Sequence, residues 1–285
     1  MDRALVRGAI AAAALACLPA AAAPGDALWY LQVDNDVAFS TDRWYTSGVR
    51  IARVKDGVEW GLLQEIYTPE ASRWHRGVSD RAPVGRLLLS LARHDISGEA
   101  FQTIELMAGV RGPSAGGRPS TESIHRVIPA PQVDWRRQLG DAFDATFAAA
   151  RTQRFGPVKI HAGAQLGTQL IFAHAGFEAR FGSAAHAASR LLRFAATPEL
   201  SLESGWSAYA GAGLRGVFRN ELLSRNYDPE GPALSRERAV TRIAAGVTWT
   251  GTWGAVTFDL AQDSREFAQQ REPHRFGSLA LHVSF

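Results

Sequence analysis

The chain has almost no cysteine: Cys17 is the single one in 285 residues, and it falls in a stretch that reads as a removable leader. A mature chain without thiols has no disulfide staple and cannot be a thiol enzyme. Net charge is equally scant. The 31 Lys and Arg against 28 Asp and Glu leave +3, with both signs interspersed, so no nucleic-acid footprint exists. After the N-terminus no apolar run approaches the roughly 20 residues that a membrane-spanning helix needs. If the chain lives in a membrane, it does so as strands.

What is present points the same way. Gly (27) and the aromatics (8 Trp, 14 Phe, 5 Tyr) are plentiful, the profile of a folded β-rich chain without a disordered signature. Residues 1–23 carry Arg3 and Arg7, an apolar core from Ala9 to Leu18 and an Ala-rich end, the layout of a secretory signal peptide. Residues 24–285 are then expected to form one domain.

Strict alternation runs through that domain. Trp29, Leu31 and Val33 alternate with Tyr30, Gln32 and Asp34; Val158, Ile160 and Ala162 alternate with Lys159, His161 and Gly163. Period two means strands. The polar set includes charges that a dry sandwich core would reject, so it belongs in a wet interior with the apolar set against lipid. This is the pattern of an outer-membrane barrel. The alternating ending Ser278 to Phe285 suits a strand read by the outer-membrane barrel assembly machinery.

Loop lengths give the strand number. Twelve antiparallel strands are expected near 27–37, 44–54, 58–67, 84–94, 100–110, 141–152, 157–168, 190–203, 206–219, 238–250, 254–265 and 275–285. All the long connections then fall on one side, as the outer loops of such barrels do. Leu170 to Phe181 is assigned to an outer excursion. The longest loop, 111–140, contains Ser120, Glu122 and the spacing Ile124, Val127, Ile128, which reads as a short helix capped by Ser120 and carrying His125.

Three regions therefore meet at the outer rim: Asp34 to Ser47, the loop with Asp80 and Arg81, and the loop with His125. Oxygen-rich turns such as Asp34-Asn35-Asp36 bind hard cations, and a neutral histidine beside acids suits activation of water. A serine acyl-enzyme is the weaker expectation.

The ordered motifs carry a resemblance. Asn35-Asp36, Thr41-Asp42-Arg43 and Tyr45-Thr46-Ser47-Gly48 come first. Tyr67-Thr68-Pro69, Asp80-Arg81, Gly112-Pro113, Ile124-His125-Arg126, Trp135, Arg219-Asn220 and Ser264-Arg265-Glu266-Phe267 follow. Together the set resembles the outer-membrane lipid A 3'-O-deacylases. The resemblance implies a Ca2+-dependent esterase that removes the 3'-linked acyloxyacyl chain of lipopolysaccharide at the outer leaflet of the Gram-negative outer membrane. It implies His125 as general base, Asn35 as a catalytic-site residue and Asp36 as a metal ligand. Thr46 and Thr121 would lie on the substrate side, with Arg81 contacting a lipid phosphate or closing a rim salt bridge. The chain departs from the family at Thr121, usually Gln, and at Pro131, usually an acid. A non-catalytic barrel, as a pore or structural protein, and an outer-membrane phospholipase stay open as alternatives.

Overall fold

The structure, a computed structural model, describes residues 27–39, 41–70, 80–127, 133–182 and 204–284. The leader, Cys17, His75, Pro131 and Phe285 lie outside them. Twelve strands run in order: β1 (Leu28–Asn35), β2 (Trp44–Lys55), β3 (Val58–Thr68), β4 (Val84–Ser97), β5 (Ala100–Arg111), β6 (Ala142–Phe155), β7 (Val158–Gly167), β8 (Leu170–Gly182), β9 (Gly205–Asn220), β10 (Ala239–Gly251), β11 (Gly254–Asp263) and β12 (His274–Ser284). Each pairs antiparallel with its sequence neighbour, and β1 closes on β12 from Leu28 against Ser284 to Asn35 against Gly277. No sheet edge is left to satisfy, the condition for strands to cross a bilayer.

Alternation sorts the two faces as expected. Trp60, Leu62, Leu89 and Leu106 are exposed on the outer wall, whereas Arg50, Glu59, Arg86 and Glu105 are buried inside. The interior is filled by ion pairs. Arg50 Nη2 donates to Glu105 Oε1 at 2.7 Å and its Nε to Glu59 Oε1 at 3.1 Å, while Arg86 Nε donates to Asp144 Oδ2 at 2.7 Å. Pairing of this kind is what lets charged groups be buried.

The eighth strand corrects the sequence reading. β8 is Leu170–Gly182, the stretch assigned to an outer excursion, and it pairs directly with β9 from Leu170 against Asn220 to Gly182 against Ser207. The strand expected at 190–203 lies outside the described residues. The connection between β7 and β8 is only Thr168 and Gln169, and the long one after β8 leaves from the opposite end of the barrel.

At the outer end the mouth is stoppered. Tyr45, Tyr67, Ala82, Val84, Leu139, Leu222 and Phe276 form one buried apolar cluster. Backbone bonds stitch the loops above it. Asp80 N donates to Asn226 Oδ1 at 3.1 Å, Tyr227 N to Asp80 O at 2.7 Å and Ala82 N to Arg225 O at 3.2 Å.

Helix α1 (Gly117–Val127) starts three residues before the expected cap at Ser120. Pro119 sits in its first turn, where a missing N–H costs nothing. Ser120 Oγ instead donates to Gln64 Oε1 at 2.9 Å, and Gln64 Nε2 donates to the Ala115 carbonyl at 2.8 Å. Gln64 lies on the same outward row of β3 as Trp60 and Leu62. α1 is therefore docked on the lipid-facing side of the wall. Gly85 of β4 permits the approach, since a Cβ there would meet the Gly117 backbone at 3.0 Å.

Candidate active site

The turn after β1 is built by its own side chains. Asn35 Oδ1 accepts the Val37 amide at 2.7 Å, an Asx turn, and a short 3-10 helix, Asp36–Phe39, follows. Asp36 is buried, and its Oδ2 accepts the Thr41 hydroxyl and the Arg43 amide, both at 2.9 Å. One carboxylate thus closes the loop that carries it. Burial pushes the Asp36 carboxyl up to about 8; the bond from the Arg43 amide works downward, and the charge of Asp42 upward.

The chain then enters β2 through a strained residue. Trp44 has φ +60°, in the left-handed region that bulky residues avoid. Its surroundings hold it there: the Arg43 guanidinium lies 4.5 Å from the indole ring, His274 packs edge-on at 5.8 Å, and Leu223 and Phe267 bury it. Arg43 is fixed in turn by Glu70 and Glu272, each at 2.9 Å. Strain that is over-determined in this way clusters at functional sites.

Just before that turn stands Asp42, facing the last helical turn of α1. His125 Nε2 is 3.4 Å from Asp42 Oδ2, and the two side chains are only 10% and 11% exposed. Both Asp42 oxygens are buried, and neither has a hydrogen-bond partner among the described residues. Burial raises the Asp42 carboxyl above the usual range, and His125 counteracts that shift. Asp42 thus links the two parts of the site: it faces His125 and its charge bears on Asp36.

The other expected residues are distributed unevenly around it. Thr46 sits at a bulge in the β2–β3 pairing, and its hydroxyl bonds that of Thr68. Thr121 is buried, with Oγ1 donating to Gly117 O at 2.9 Å inside its own helix. Arg81 is fully buried in the stopper, 3.4 Å from Glu266 and 4.3 Å from the Tyr67 ring centre. Of its two readings, the ion pair is the one the geometry matches.

Ser114 occupies a Gly-x-Ser-x-Gly spacing, Gly112 to Gly116, but no strand-to-helix elbow forms there. It lies in a 3-10 turn, and its hydroxyl donates to Asp141 at 2.9 Å, not to a histidine. Sequence reasoning gave Asp42 only as part of the Thr41-Asp42-Arg43 motif, without a role at the site, and missed Gln64, the anchor of α1. Their positions depend on how the loop docks, and neither has a local pattern of its own.

Among the described residues no three His, Cys, Asp or Glu side chains gather as a ready metal cage. A hard cation beside Asp36 would have the carboxylate, the Thr41 hydroxyl and backbone carbonyls to draw on, the oxygen donors that calcium takes. The donor set fits such an ion.

Comparison with known proteins places the fold. LpxR from Salmonella typhimurium superimposes with a TM-score of 0.75 at 18% identity, over 91% of this chain and 100% of that one. The β domain of the Bordetella autotransporter BrkA reaches 0.46 at 12% identity, over 91% and 98%. No curated protein matches in sequence. A family model described as outer membrane protein LpxR matches residues 53–285, which include His125 but not Asn35 or Asp36. With most of its length matched and the same kind of barrel formed, the chain belongs to the LpxR family of outer-membrane proteins.

Proposed function

We propose that the protein is a calcium-dependent lipid A 3'-O-deacylase, an ester hydrolase that releases the 3'-linked acyloxyacyl chain of lipopolysaccharide. The observation that carries this reading is the position of His125. At 3.4 Å it faces Asp42, whose charge in turn acts on buried Asp36, and the helix that carries it is docked against the lipid-facing wall. A lipid ester in the outer leaflet would reach this crevice from the membrane, with no need to enter the lumen.

His125 takes a proton from the attacking water and later returns it to the departing alkoxide. Calcium, when bound at Asp36, supplies electrostatic stabilisation to the charge that develops on the ester oxygen. Asn35 fixes the turn that presents Asp36, and α1 limits the access of bulk water. β12 supplies the alternating C-terminal strand on which the outer-membrane assembly machinery would act. The apolar stopper weighs against the pore alternative.

Fatty-acid release from purified lipid A and from glycerophospholipid micelles, each with calcium or a chelator, tests the reading. Calcium-dependent release from lipid A is the expected result. Release from phospholipid alone would make the protein a phospholipase, and no release from either would leave a non-catalytic barrel.

A further inference from the structure

Asp42 is a largely shielded acid that has no hydrogen-bond partner among the described residues. Its two oxygens are shielded from water and accept no hydrogen bond from the described residues. Leaving a carboxylate in that condition is costly, and a structural turn acid would have been expected to cap a backbone N–H, as Asp36 does. The strained Trp44 two residues on, locked by Arg43, His274, Leu223 and Phe267, commits the backbone to this exit. Two uses remain for the carboxylate: a second ligand beside Asp36, or a partner for His125.

The only ionisable group within contact distance of Asp42 among the described residues is His125, with Nε2 at 3.4 Å from Oδ2. That separation is longer than a well-formed hydrogen bond, as is usual for catalytic pairs before substrate closes the site. We infer that Asp42 is the positioning residue of His125: it accepts the Nε2 proton, fixes the ring and its tautomer, and leaves Nδ1 as the basic nitrogen aimed at water. This inference rests on the proposed hydrolase reading only for the identity of the reaction. The pairing itself is a property of the folded chain.

The decisive measurement is the imidazole 15N spectrum of His125 in the micelle-embedded, calcium-free protein, with its signal assigned by loss in His125→Gln. Asp42 as partner requires an Nε2–H tautomer in the wild type, a shifted or mixed tautomer in Asp42→Ala, which removes the acceptor, and return toward the wild-type signal in Asp42→Glu. In parallel, Asp42→Asn is expected to lower kcat by about 10²-fold or more while KM and the calcium Kd stay within about twofold. An unchanged tautomer in Asp42→Ala overturns the inference. So does a calcium affinity weakened by about tenfold or more, which would make Asp42 a ligand. Heat-modifiable migration checks that each variant has folded. Absence of lipid A hydrolysis in the wild type, with the tautomer shift intact, would defeat the hydrolase reading and leave the pairing standing.

Discussion

Asp36 Oδ2 accepts the Arg43 amide at 2.9 Å, so the acid expected to hold the metal also pins the residue from which β2 departs. The two roles separate chemically. An amide oxygen in Asp36→Asn can still accept from the Arg43 amide and the Thr41 hydroxyl, so the loop should keep its shape while the charge is lost. Isothermal titration should show calcium binding weakened by about tenfold or more, with heat-modifiable folding unchanged.

The same carboxyl gives a pH dependence whose sign is fixed. It is pushed up to about 8 in the folded, calcium-free protein against 3.8 for an ordinary aspartate. Between those values the folded state holds a proton that the unfolded chain has released. Its contribution to stability is therefore complete below about pH 4 and is lost as pH rises toward about 8. Thermal melts of the calcium-free barrel should show that decline, and Asp36→Asn should flatten it. Calcium affinity should move the other way, strengthening toward about pH 8 as the ion no longer has to displace a proton.

Gln64 holds α1 through two hydrogen bonds, at 2.9 Å from Ser120 and 2.8 Å to Ala115. Gln64→Leu should loosen the docked loop by about 1–3 kcal/mol without touching the interior of the barrel. Limited proteolysis should then cut within 111–140 faster than in the wild type, while the strands stay protected. Equal cutting rates would mean that the helix is held by something else.

Arg50 bridges Glu59 and Glu105 inside the wall, and Glu59 in turn meets His94 Nε2 at 3.0 Å. Arg50→Met leaves two buried acids facing each other. Urea titration of the folded barrel should register a loss of about 3–5 kcal/mol, the usual cost of removing one partner from a buried pair. A loss within about 0.5 kcal/mol would show that water reaches this layer.

The stopper formed by Tyr45, Tyr67, Leu222, Phe276 and their neighbours closes the outer mouth. Planar-bilayer recordings of the purified protein should lack stable porin-like conductance steps. Large, persistent steps would mean that the loops open and that the pore alternative has to return.

Most of the barrel was legible because each strand carries its own period-two pattern, and the exposed row of Trp29, Leu31 and Val33 is a direct reading of it. β8 was misplaced for a physical reason. Its alternation is clear, with Phe177 and Phe181 outward and Glu178 and Arg180 inward. With a strand already placed at 190–203, a further one here would have made the strand number odd, and that hid a two-residue connection at Thr168 and Gln169, where the Thr168 hydroxyl accepts the Ala145 amide at 3.1 Å. Asn35, Asp36 and His125 could be picked out as residues of suggestive type and place. The Asp42–His125 contact could not be, since it depends on α1 lying against the outer wall and on a left-handed Trp44, neither of which leaves a sequence pattern.

Mass spectrometry of lipid A incubated with the purified wild type and with His125→Gln, each with calcium or chelator, bears most directly on the proposed chemistry. The expected result is loss of the 3'-linked acyloxyacyl mass in the wild type with calcium alone, and intact lipid A in the other three reactions. Undiminished loss of that mass in His125→Gln, or no loss in the wild type with calcium, would contradict it.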